Sequence, residues 1–237
     1  MKSIILEKIP NQFLPSAIPY TPPGEDEAVI VITNAQYVKE LELPPDELRR
    51  AEKITYPKSR IHYLAGRYII RSILSKWYGL SPENIELAIT PAGKPILLQQ
   101  HMPFFSLTHT DDIIAVVFAS RHVGIDLERE RKLDIPALSH RFFSQEEADF
   151  MSASDAPGDF FKLWCCREAA VKADGRGLAT LLGCTRVILA DPTSESTTLV
   201  VIKDAVWTAI HWELRGGLYG AVAFQEIPSV IRWCDLR

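Results

Sequence analysis

The chain has 237 residues, 47% hydrophobic and 24% charged, with a formal net charge of -4. That length suits one large domain or two smaller ones, and the composition excludes general disorder. The slight acidity argues against a surface given over to nucleic acid, the apolar run Ile4 to Leu6 is too short for a signal peptide, and no run approaches the roughly 18–20 apolar residues of a membrane span.

Residues 1–27 hold Pro10, Pro15, Pro19, Pro22, Pro23 and Gly24 and read as an extended lead-in. The unbroken apolar run Ala28 to Thr33 predicts a buried strand. Pro44-Pro45-Asp46 opens a helix with Asp46 as its N-cap. A second helix is predicted from Ser59 to Tyr78, stopped by Gly79, because Ile61, Leu64, Ala65, Tyr68, Ile69 and Leu74 recur at helical spacing. Pro82 to Asn84 turns into a strand at Ile85 to Ile89. Phe104 to Thr108 and Ile113 to Ala119 form a hairpin joined by the four residues His109 to Asp112. Val123 to Glu128 is a further strand. Ser144 and Glu147 have the spacing of a capping box. Asp155-Ala156-Pro157-Gly158 breaks the chain, and Asp159 is expected to cap a long helix ending at Gly175 and Gly177. Strand-like pieces follow at Val187 to Leu189, Leu199 to Ile202, Trp207 to Leu214 and Leu218 to Phe224. Helices and strands thus recur in two halves with a seam near Ala119 to Val123, without a strict repeat. The cysteines at 165, 166, 184 and 234 form no CxxC pair, which predicts a reduced, cytoplasmic compartment.

Charge is unevenly placed. From Arg49 to Arg71 there are seven Lys or Arg and one acid, a net +6 in a chain of -4. Arg60, Arg67 and Arg71 fall near one helical face. Such a face is either solvated or a pocket for an anion, since guanidinium groups match phosphate oxygens bidentately. Lys94, between Gly93 and Pro95 on a turn, is open to the same two readings.

In Val123-Gly124-Ile125-Asp126-Leu127-Glu128 the two carboxylates point to one face of a strand, about 7 Å apart at Cα, while Ile125 and Leu127 point to a core. Paired acids of this kind suit a hard divalent cation such as Mg²⁺, or a solvated edge. Glu168 and Lys172 are one helical turn apart in a segment otherwise rich in Trp, Cys, Ala and Val. An ion pair buried there costs desolvation, which favours a functional use. Glu168 would supply a third carboxylate facing Asp126 and Glu128, and Lys172 could neutralise a leaving phosphate. His109, at the hairpin end, reads as structural on spacing alone.

Taken in order, these motifs resemble those of the Sfp-type 4′-phosphopantetheinyl transferases over about residues 44 to 178. Gly93-Lys94-Pro95 is similar to the family's GKP turn, and Phe105 to Thr110 to its F-N-I/L-S-H-S. Val123 to Glu128 resembles G-I-D-I/L-E, and Arg141-Phe142-Phe143-Ser144 with the following acids resembles R-F-F-S-x-x-E. Trp164 to Leu178 resembles W-T-x-K-E-A-x-x-K-A-x-G-x-G-L. The chain departs at Ser106, Thr108, Cys165 and Arg167, and at His62 where a second arginine is common.

The resemblance implies an α+β fold of two similar α/β halves related by a pseudo-twofold axis, with the active site in the cleft between them. The halves would be 1–120, with the basic coenzyme A-binding segment, and 121–237, with the metal and catalytic motifs. It implies transfer of the phosphopantetheine arm of coenzyme A to a serine of an apo acyl or peptidyl carrier protein, releasing adenosine 3′,5′-bisphosphate. Arg50, Lys53 and Arg60 would meet the 3′-phosphate, Lys94 and His109 the pyrophosphate, and Asp126, Glu128 and Glu168 would hold Mg²⁺. Glu168, or a water it orients, would act as base and Lys172 would neutralise the leaving phosphate. A monomer is expected. The competing readings are a non-catalytic coenzyme A- or nucleotide-binding module and a Mg²⁺-dependent hydrolase of a nucleoside pyrophosphate.

Overall fold

The computed structural model describes residues 21–35, 43–154, 156–177, 185–188 and 197–236. Most of the proline-rich lead-in, Asp155, Leu178, Cys184 and Leu189 lie outside the described residues. In chain order the elements are β1 (Glu27–Asn34), α1 (Pro45–Glu52), α2 (Pro57–Tyr78), β2 (Leu87–Ile89), β3 (Pro95–Leu97), β4 (Phe104–Thr110), β5 (Ile113–Ala119), β6 (Val123–Arg129), α3 (Ile135–Phe142), α4 (Gln145–Ala153), α5 (Pro157–Asp174), β7 (Thr185–Ile188), β8 (Thr197–Ile202), β9 (Ala205–Leu214), β10 (Leu218–Phe224) and β11 (Val230–Leu236). The expected α+β class is met. Among the described residues no helix is long and apolar enough to cross a membrane.

The described residues form two compact units. The first runs up to Ile89 and adds Pro95–Ser120 and the stretch from Pro228; the second comprises Thr90–Lys94 and Arg121–Ile227. In the first unit a four-stranded sheet is ordered β11-β1-β5-β4. Strand β1 is central, antiparallel to β5 and parallel to β11, which is why Ala28 to Thr33 are apolar without alternation. The last strand therefore lies in the unit of β1, not with residues 121–227 that precede it. Helix α2 covers the sheet with Ala65, Ile69, Ile70, Ile73 and Leu74 against Val29, Val31, Ile114, Val116 and Phe118. Gly66 lets it approach: a Cβ there would come 2.7 Å from Leu107 Cδ2.

Several local expectations are corrected. Pro44, not Asp46, is the N-cap of α1, because Pro45 takes the first helical position; Asp46 sits in the first turn, where it still complements the helix dipole. Helix α2 starts at Pro57, two residues before the expected Ser59, for the same reason, and ends at Gly79 in the left-handed conformation as expected. The strand expected from Ile85 begins at Leu87, because Pro82–Asn84 form a 3-10 turn that Ile85 closes. The β4–β5 register continues to Thr110 opposite Ile113, so Asp111 and Asp112 alone make the turn. Asp111 has φ 49°, a conformation Asp tolerates better than most residues. His109 is thus a strand residue.

The second unit is an antiparallel sheet ordered β6-β10-β9-β8-β7. Its core packs α5 (Phe160, Phe161, Cys165, Cys166, Ala169, Ala170, Ala173) against Val187, Val200, Ile202, Trp207, Ala209, Tyr219, Ala221 and Ala223. The expected capping box is present: Ser144 Oγ accepts from Glu147 N, and Glu147 Oε2 accepts from Ser144 N at 2.5 Å. Helix α5 begins at Pro157 with Ala156 as N-cap, so Asp159 is a first-turn acid, not the cap; its Oδ2 accepts from Ser154 Oγ at 2.6 Å.

Candidate functional site

Strand β6 and helix α5 carry the acidic group. Their close approach is set at Gly124, where a Cβ would stand 2.0 Å from Ala169 O and 2.4 Å from Ala173 N. No other residue fits, so the glycine of the V-G-I-D segment decides how near the strand and helix backbones come. Two residues on, Asp126 is buried, and Lys172 Nζ donates to its Oδ1 at 2.5 Å. Ile125 and Leu127 face the core, as alternation requires.

Glu168, one turn before Lys172, is 7% exposed. Burial, then the charge of Asp126 and, more weakly, that of Glu128, push its carboxyl up to about 7 against the pull of Lys172. Burial also raises Glu128, whose Oε2 accepts from Arg131 Nη1 at 2.6 Å. For Lys172 burial acts downward, but Asp126 and Glu168 outweigh it and hold the ammonium above its ordinary value. The three carboxylates therefore feel one another's charge. As they stand, however, the described residues contain no group of three His, Cys, Asp or Glu gathered closely enough to hold a metal ion.

The motif around Trp164 is structural. Its ring meets Phe142 edge-on at 5.4 Å, Phe143 at 5.9 Å and Phe160 face-on at 5.9 Å, which brings the R-F-F-S segment onto α5. Arg167, one of the departures from the motif, is 2% exposed; its guanidinium lies over Phe143 and pairs with Glu147 at 3.7 Å. Glu147 also accepts from Val187 N at 2.5 Å. One carboxylate thus caps α4, holds β7 and neutralises a buried arginine.

In the first unit the basic segment divides. Arg71 makes a bidentate pair with Glu47, both contacts 3.0 Å, and Arg67 lies 3.6 Å from the same carboxylate. Both are buried, so their anion-pocket reading is replaced by an internal Arg–Glu–Arg cluster. Arg50, Lys53 and Arg60 are exposed. His62, on α2, is buried; its ring stacks on that of His109 at 4.1 Å and its Nε2 is 2.6 Å from Asp111 O. Lys94, in the second unit, has its ammonium on Lys172 O at 2.5 Å and Val123 O at 3.4 Å. Burial lowers it to about 8 against the opposing charge of Asp174. Sequence reasoning missed Glu47 and Asp111. A lone acid ahead of a basic helix is a faint signal for the first; a backbone acceptor leaves none for the second.

Residues 122–223, which contain Asp126, Glu128, Glu168 and Lys172, match the model of the 4′-phosphopantetheinyl transferase superfamily. Over 147 residues, 59% of this chain, the protein is 37% identical to 4′-phosphopantetheinyl transferase HetI of a Nostoc species. It is 25% identical over 140 residues to 4′-phosphopantetheinyl transferase Sfp of Bacillus subtilis, and 33% identical over 132 residues to 4′-phosphopantetheinyl transferase psf-1 of Bacillus pumilus. The matched stretches span 62%, 62% and 56% of those relatives, less than two thirds of each. The match over 122–223 and these relatives bear out the resemblance carried by the motifs.

Proposed function

We propose that the protein transfers the 4′-phosphopantetheine arm of coenzyme A to a serine of an apo acyl or peptidyl carrier protein, with Mg²⁺, releasing adenosine 3′,5′-bisphosphate. The observation that carries this reading is the pair between the buried Asp126 and Lys172 with Glu168 beside it, inside the segment that matches the transferase superfamily. A cytoplasmic monomer belongs to the same reading.

The donor chemistry fits the cation. Burial, with the charge of Asp126, raises the proton affinity of Glu128 and Glu168, a condition that a hard divalent ion among these oxygen donors would relieve. These three would hold Mg²⁺, which when bound supplies Lewis acidity at the pyrophosphate oxygens. The residues themselves do the rest. Glu168, or a water it orients, takes the proton from the attacking serine hydroxyl. As the serine oxygen bonds to phosphorus, the bond from phosphorus to the oxygen of the departing adenosine 3′,5′-bisphosphate breaks. Lys172 neutralises the charge that develops on that oxygen. Arg50, Lys53 and Arg60 supply exposed cations for the 3′-phosphate, and His109 a donor for the pyrophosphate.

The experiment is to incubate the protein with coenzyme A, Mg²⁺ and a panel of apo-carriers and to weigh the carriers. A gain of one phosphopantetheine arm is expected. No gain on any carrier sinks the reading; coenzyme A bound without transfer points to the binding module, and carrier-independent phosphate-bond cleavage to the hydrolase.

A further inference from the structure

We infer that Lys94 is a positioning residue, whose ammonium ties the last turn of α5 to the start of β6 and so holds Lys172 on Asp126. The inference deepens the transferase reading and rests on it for its kinetic consequence.

The turn that carries Lys94 is closed by its own hydrogen bonds. Thr90 N donates to Lys94 O and Gly93 N to Thr90 O, both at 2.9 Å, and Lys94 N donates to Thr90 Oγ1 at 3.1 Å. Gly93, at φ 88°, permits the bend. The Cα of Lys94 is thereby fixed, and its side chain runs along the end of α5: a Cβ on Gly175 would lie 3.6 Å from Lys94 Cδ, and one on Gly177 3.2 Å from Ala92 Cβ.

What the ammonium reaches is specific. Lys172 O is among the last four carbonyls of α5, which an α-helix leaves without an intrahelical donor, at the negative end of the helix dipole. Val123 O opens β6, three residues before Asp126. One cation thus spans the two elements that present Asp126, Glu168 and Lys172. The contact to Lys172 is through the backbone of the very residue whose side chain sits on Asp126.

The test uses the full chain. Lys94→Met, which keeps length and removes the charge, and Lys94→Arg, which keeps a cation, are compared with the unsubstituted protein. The readouts are kcat and the KM for coenzyme A in carrier loading, and backbone hydrogen exchange at Val171 to Gly175 without ligand. Lys94→Met is expected to lower kcat about tenfold with KM for coenzyme A within about twofold, and to speed exchange there. Lys94→Arg is expected to restore protection and most of the rate. A raised KM for coenzyme A at unchanged kcat, with exchange unaltered, makes Lys94 a ligand contact and overturns the inference. If the unsubstituted protein loads no carrier, the transferase reading fails and exchange alone decides: unaltered protection in Lys94→Met overturns the clamp. If Lys94→Met does not fold, reductive methylation of the unsubstituted protein decides. Slow modification of Lys94 with or without coenzyme A supports the clamp; fast modification that coenzyme A suppresses overturns it.

Discussion

At Asp126 a single buried carboxylate meets the partly exposed ammonium of Lys172. Asp126→Asn and Glu168→Gln keep the shapes and remove the charges, so each is expected to lower the carrier-loading rate by about a hundredfold or more while the circular dichroism spectrum is retained. Near-full rate in either at saturating Mg²⁺ defeats their assignment. Arg60 is exposed on the first turn of α2. Arg60→Ala is expected to raise the KM for coenzyme A about tenfold and that for dephospho-coenzyme A little, because only the former carries the 3′-phosphate; equal losses remove Arg60 from that role. Lys94 makes a prediction in pH. Its folded value, about 8, lies below the ordinary 10.5. Between those values the unfolded chain holds a proton that the folded chain has released, so this residue makes stability rise with pH across that window. Urea unfolding at successive pH values should show the unsubstituted protein gaining on Lys94→Met there; a constant gap between the two refutes the shift.

At the scale of elements, α4 and α5 are joined through Glu147. Its carboxylate closes the capping box, accepts from Val187 N on β7 and faces the buried Arg167. Glu147→Ala would remove the cap and leave a guanidinium buried without that counter-charge. A loss of about 3–5 kcal/mol is expected from chemical denaturation. A loss under about 1 kcal/mol, the typical effect of a helix cap alone, would mean that water or a shifted side chain replaces the pair. The Glu47 cluster does for α1 and α2 what Glu147 does here, which is why two of the three arginines near one face of α2 are turned inward.

In the whole molecule, the last described strand lies beside the first. Strand β11 is the parallel partner of β1, pairing from Val230 opposite Glu27 to Leu236 opposite Thr33. Removing residues from Pro228 onward would leave β1 as an edge with apolar residues on both faces. Hydrogen exchange in β1 and β5 is expected to accelerate in that truncation while β9 and β10 keep their protection; unchanged exchange in β1 would show that β11 adds nothing to that sheet.

Much of this was legible in the chain itself. Unbroken apolar runs marked β1 and β5, helical spacing and Gly79 marked α2, and Ser144 with Glu147 marked the start of α4. Each is a local rule of period or capping that needs no knowledge of distant residues. The acidic strand and the Glu168–Lys172 turn were legible for the same reason, and the motif order carried the family. Partners distant in sequence were not: Glu47 with Arg71, Arg167 with Glu147, His62 with His109, β1 with β11, and Lys94 on the end of α5. A lysine between glycine and proline reads alike whether it meets a phosphate or a carbonyl. Its target is chosen by the folded backbone that brings the end of one helix and the start of one strand within reach of its four-carbon stem.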